Sequence, residues 1–103
     1  MEIQIKNNSA RIIPGEKIDL TNSETLKEKA NNLMGENIRK IILDFKNVKE
    51  IDSSGIGKIL LLNKMLKDNQ GKMIIVNVNS EYVQKVFKML DLGEVVEIRD
   101  DIN

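Results

Sequence analysis

Near the middle of the chain, Asp52, Ser53 and Ser54 stand directly before Gly55, Ile56 and Gly57, so a carboxylate, two hydroxyls and two glycines share six consecutive positions. Such a group can cap a helix, cradle a phosphate on free backbone N–H groups, attack an electrophile, or accept a phosphate from another protein. Asp19 and Asp44 are two further carboxylates that an open α/β sheet could bring to the carboxyl ends of its strands as metal ligands or acid/base groups. Solvated turn and cap carboxylates are the plainer alternative.

Composition removes most of the catalytic options. The 103 residues include no histidine and no cysteine, which eliminates imidazole bases, thiol nucleophiles, Cys/His zinc sites and disulfides. A serine followed by serine and glycine is not the G-x-S-x-G elbow of a hydrolase. Gly57 and Lys58 precede Ile59 with no earlier glycine at Walker spacing, and Leu60 stands where a dinucleotide fingerprint needs its third glycine. The chain is therefore not expected to be an enzyme, and no cofactor or metal is expected; weak nucleotide affinity at the helix start stays an alternative. Serine as an acceptor survives, because phosphate on Ser54 would bring about 1.5 to 2 negative charges to a neutral surface. Gly55 and Gly57 each cost about 1 kcal/mol relative to alanine inside a helix, which calls for a close approach by the sheet or by a partner. Gly57 is expected to face the sheet and Gly55 to lie nearer the surface.

The elements that must position this group follow from periodicity. Ile3 to Lys6 and Ala10 to Ile13 read as a hairpin around Asn7 to Ser9. Thr21 and Glu24 have capping-box spacing, with Ser23 a competing cap, ahead of the stripe Leu26, Ala30, Leu33 and Met34. Ile41, Ile42 and Leu43 form a strand covered on both faces and ending at Asp44, and Val48 and Ile51 anchor the connection to the motif. Asp52 and Ser53 fall at the cap of the next helix and Ser54 in its first exposed turn; Ile56, Ile59, Leu60, Met65 and Leu66 make its apolar face, widened by Leu61 and Leu62. Met73 to Val76 is another strand, Ser80 caps a helix striped by Val83, Val86, Phe87 and Leu90, and Val95 to Ile98 closes the chain. The order ββαβαβαβ predicts an α/β fold with a largely parallel, mixed sheet of four to five strands, three helices and right-handed crossovers, in one domain spanning 1–103. Lysine plus arginine equal aspartate plus glutamate at 16 each, so no direct nucleic-acid partner is expected. No apolar run reaches membrane-spanning length and the amino end lacks a secretory core, so a cytoplasmic protein is expected.

The stretch IILDFKNVKEIDSSGIG, Ile41 to Gly57, resembles the signature of the bacterial anti-sigma factor antagonists, small STAS-domain proteins. The likeness extends to PGEKIDLTNSETLKEKA from Pro14 and to LDLG at Leu90 to Gly93. It implies a mixed sheet with helices packed on it. It implies that Ser54 is phosphorylated by a partner that is both anti-sigma factor and serine kinase, that the unphosphorylated chain binds this partner and frees a sigma factor, and that a serine phosphatase resets the site. By the same likeness Asp52, Ser53, Gly55, Ile56 and Gly57 surround the acceptor, and Asp19 is the acidic residue beside it, although Gly15 to Asp19 carries one residue more than the family's usual glycine-to-aspartate spacing. A regulatory STAS subunit of a transport system is the alternative from within the same fold.

Overall fold

The computed structural model describes residues 1–100, so the last three positions of the expected 1–103 domain lie outside the described residues. The hairpin forms from β1 (Glu2–Lys6) and β2 (Ser9–Ile13), antiparallel with Ile3 opposite Ile12. Asn7 turns the corner at φ 58°, a left-handed conformation that asparagine tolerates better than most side chains. From β2 the chain runs through α1 (Ser23–Gly35) to β4 (Lys40–Asp44), through α2 (Ser53–Asp68) to β6 (Lys72–Val76), and through α3 (Glu81–Met89) to β7 (Glu97–Arg99). Each of these strands pairs parallel to its neighbour, giving the order β1-β2-β4-β6-β7 with β4 at the centre.

Alternation along the strands separates two faces. Ala10, Ile12, Ile41, Leu43, Met73 and Ile75 point to one side and pack with Leu26, Ala30 and Leu33 of α1, Ile59, Leu62 and Leu66 of α2, and Val83 and Phe87 of α3 in one core. Helices of this length draw most of their stability from packing an apolar face rather than from propensity, so this burial supplies the drive for all three. Ile42, Ile74 and Val76 form a smaller buried cluster on the opposite side, which is why β4 reads as an unbroken apolar run. Asp44, 2% exposed, also belongs to that side. It accepts from the Arg11 guanidinium at 2.7 Å, from Asn77 Nδ2 at 3.1 Å and from the Lys46 backbone at 3.0 Å.

Several expectations change. A second, two-stranded parallel ladder joins β3 (Lys17–Ile18) to β5 (Glu50–Ile51), with Ile18 beside Ile51. Ile51 is therefore a strand residue rather than a loop anchor, and two residues are too few to announce a period. Thr21 does not cap α1: its hydroxyl donates to Asp19 Oδ1 at 2.5 Å, and Asn22 occupies the cap position. On α2 the buried positions are Gly55, Ile56, Ile59, Leu62, Asn63 and Leu66, so Leu60 and Leu61 face outward. The last strand begins two residues later than expected, because the carbonyl of Leu92 accepts from the N–H groups of Val95 and Val96 and keeps them in a turn. Ser80 caps α3 as expected, accepting from the Val83 N–H at 3.2 Å. Among the described residues no helix is long and apolar enough to cross a membrane.

Candidate functional site

Asp52 organises the motif. Its backbone is extended while the next residue is helical, and its Oδ1 accepts from the Gly55 N–H at 3.0 Å, which makes it the N-cap of α2. Its other carboxylate oxygen accepts from the Leu20 N–H at 3.1 Å, and its own N–H donates to the Ile18 carbonyl at 3.2 Å. One side chain thus starts the helix and ties it to the segment entering α1. Ser53 is the first helical residue and is exposed rather than capping; Ser54 is the second and is half-buried.

The glycines exchange the roles expected of them. A Cβ on Gly55 would lie 2.5 Å from the Ile18 carbonyl oxygen, 2.8 Å from Ile51 Cγ1 and 2.9 Å from Ile18 Cγ2, whereas one on Gly57 would meet nothing within 4 Å. Gly55 therefore lets α2 start directly against the β3–β5 ladder, and Gly57 leaves an opening in the outer surface. The reversal follows from the cap: with Asp52 as N-cap, the third helical position points inward and the fifth points out. Ile56 packs into the core and fixes the helix below exposed Ser53 and half-buried Ser54.

Asp19 reaches the same end of the molecule despite its unusual spacing. Asp19 and Asp52 line one recess of about 620 Å³ together with Lys49, Glu50, Ile51 and Tyr82. The Thr21 hydroxyl, aided by the Thr21 backbone and the charge of Lys17, holds the Asp19 carboxyl below its ordinary value against partial desolvation. Asp44 does not join them. Its burial acts to raise its pKa, but the bonds from Asn77, Lys46 and Arg11 outweigh this and leave it lowered. The three aspartates therefore do not converge, and among the described residues no group of three or more histidine, cysteine, aspartate or glutamate side chains could hold a metal ion.

Two further recesses flank the motif. Leu20, Ser23, Glu24, Ser53, Ser54, Gly57, Lys58 and Leu61 line one of about 420 Å³; Ser53, Ile56, Gly57, Leu60, Tyr82, Val86 and Leu90 line part of another of about 520 Å³. Their rims include exposed large apolar side chains, among them Leu20 at 76%, Tyr82 at 56% and Leu90 at 55% exposure. Sequence reasoning missed these residues as a group. Leu60, Leu61 and Leu90 read as members of buried stripes, and the surplus of leucines on α2 over what one face can bury was the available signal. It also missed Lys58, whose ammonium lies 3.0 Å from Glu24 Oε2 on α1. The Lys58 hydrogen bond, with the charges of Lys27 and Lys58, keeps Glu24 below its ordinary carboxylate value.

Comparison with known proteins gives consistent likenesses. A candidate anti-sigma factor antagonist of Thermotoga maritima is 26% identical over 93 residues, 89% of this chain and 81% of its own length. A crystal structure of a candidate antagonist from that organism superposes with a TM-score of 0.90 at 24% identity, covering 98% of this chain and 86% of the other. SpoIIAA, a Bacillus cell fate determinant, superposes in its phosphorylated form with a TM-score of 0.77 at 23% identity, covering 99% of this chain and 91% of its own. These superpositions establish the fold. The STAS domain model matches residues 2–103, and the chain belongs to the STAS domain family.

Proposed function

We propose that this chain is an anti-sigma factor antagonist working by partner switching, with residues 1–103 acting as one STAS domain. Unmodified, it binds an anti-sigma factor that is also a serine kinase, and so frees a sigma factor in the cytoplasm. The kinase transfers the terminal phosphoryl group of ATP to the Ser54 hydroxyl oxygen, with ADP leaving and the hydroxyl proton passing to the kinase. The phosphorylated chain dissociates, and a serine phosphatase restores it.

The observation that carries this reading is the position of Ser54: half-exposed in the first turn of α2, opening on a recess rimmed by exposed leucines. Exposed leucines at the rim of a recess suit contact with a protein partner, and a hydroxyl beside them couples contact to charge. Phosphate at a helix N-terminus is favoured by about 0.3 to 1 kcal/mol through the dipole, so the fold tolerates it. The same charge pressed against an unpaired partner surface is costly. Two relatives support the direction of the reading: the Thermotoga protein carries the antagonist name, and SpoIIAA, an anti-sigma factor antagonist, has structures in unphosphorylated and phosphorylated forms.

In the proposed interface Asp52 sets the helix start, Ser53 borders the acceptor, Asp19 contributes from the recess it shares with Asp52, Gly55 and Ile56 seat the motif on the core, and Gly57 leaves room for the partner. The test is phosphosite mapping by mass spectrometry after incubation with ATP and the anti-sigma kinase encoded in the same genome. Incorporation at Ser54, abolished by Ser54→Ala, is expected; incorporation at Ser53 with none at Ser54 would overturn the assignment.

A further inference from the structure

We propose that Lys58 is the cation that holds the phosphate once Ser54 is modified, and that it does so by leaving Glu24. The proposal rests on the reading of Ser54 as phosphoacceptor and concerns what the chain itself does with the added charge.

Ser54 and Lys58 are four residues apart on α2, hence neighbours on one face. Side chains on a helix tilt toward its N-terminus, so Lys58 extends back over the turn that carries Ser54. Both residues line the recess that Glu24 closes from α1. In the unmodified chain the Lys58 ammonium is 3.0 Å from Glu24 Oε2, and its side chain is only 28% exposed. The stem is thus held within the recess and the charge is in place before any phosphate arrives. Glu24 has a second cation, Lys27, 3.8 Å away on its own helix, so it keeps a counter-charge when Lys58 departs.

The exchange is favoured by valence. A phosphate near neutral pH carries nearly twice the charge of a carboxylate and more acceptor oxygens, and charge-assisted bonds strengthen accordingly. The consequence reaches beyond Ser54, because the Lys58–Glu24 pair bridges α1 and α2 at the edge of the recess. Moving Lys58 onto phosphate removes that bridge next to Leu20, one of the exposed apolar residues of the rim.

The probe is the chain synthesised with phosphoserine at position 54, so no kinase is needed. Phosphorus NMR titration follows the second ionisation of the phosphate in the otherwise unaltered chain and in Lys58→Gln and Lys58→Arg. The midpoint should lie at least about 0.2 pH unit lower with Lys58 than with glutamine, and arginine should restore most of the difference. Equal midpoints in all three would overturn the proposal. A crystal structure of the phosphorylated chain reads the same point without a variant: Lys58 Nζ on a phosphate oxygen supports the exchange, and Lys58 still on Glu24 overturns it. The two readings fail separately. If the kinase does not modify Ser54, the acceptor reading falls while the Lys58 result stands; equal midpoints remove the role of Lys58 and leave the acceptor reading intact.

Discussion

Replacing Gly55 with alanine adds one methyl group where α2 lies closest to the β3–β5 ladder. That carbon would be built 2.5 Å from a backbone oxygen, Ile18 O, with Ile51 Cγ1 and Ile18 Cγ2 also inside 3.0 Å, a limit that real Cβ atoms essentially never cross. An opening of about 0.5 Å is needed to relieve the nearest contact alone. The oxygen cannot rotate away, because it also accepts from the Asp52 N–H at 3.2 Å and so belongs to the bond that ties the helix start to β3. Overpacking of this kind costs about 1 to 3 kcal/mol. The gain in helix propensity is at most about 1 kcal/mol, and a first-turn position captures only part of it. A net loss of about 1 to 2 kcal/mol is expected. Gly57→Ala is the matched control: its methyl enters open space, so it should be neutral or stabilising by up to about 1 kcal/mol. Urea unfolding followed by circular dichroism measures both variants, and thermal melts should separate them by at least about 4 °C. A Gly55→Ala protein as stable as Gly57→Ala would refute the close-approach argument.

Other variants test neighbouring links. Asp52→Ala removes the α2 cap and the bond to the Leu20 N–H, so chemical unfolding should show a loss of about 1 to 2 kcal/mol; Ser53→Ala, at an exposed non-capping position, should stay within about 0.5 kcal/mol of the original chain. The Asp44 carboxyl titrates below its unfolded value of about 3.9, so its contribution to stability is fully present above that pH and is lost as pH falls through the folded value. Asp44→Asn should accordingly flatten the fall in stability below about pH 4, measured as urea midpoints against pH, and an unchanged acid slope would contradict the lowered value.

What could be read from the sequence was what is repeated locally. The hairpin, the three helices, the central strand and the Ser80 cap each announce themselves within a few residues, through alternation, a 3.6-residue stripe or a hydroxyl at a helix start. The β3–β5 ladder could not be read, because two-residue strands have no period and Ile18 and Ile51 meet only after the chain has passed through α1 and β4. The same distance hid the glycine roles: Gly55 is tight only because Ile18 O lies beneath it. Leu60, Leu61 and Leu90 read as members of buried stripes because apolar side chains are usually inside; the two recesses flanking the motif have them at the rim instead. Within the site, the DSSGIG segment was legible as a helix start, while the choice of Asp52 over Ser53 as cap depended on the carboxylate reaching Gly55 and Leu20 at once.

Titration of the anti-sigma kinase with the unmodified chain and with the same chain phosphorylated at Ser54, side by side, bears most directly on the proposed switch. Phosphate should weaken binding by about 2 to 5 kcal/mol, roughly 30-fold or more, with little change in melting temperature, and Ser54→Ala should bind like the unmodified chain. Equal affinity of the two forms would contradict an electrostatic off-switch at Ser54.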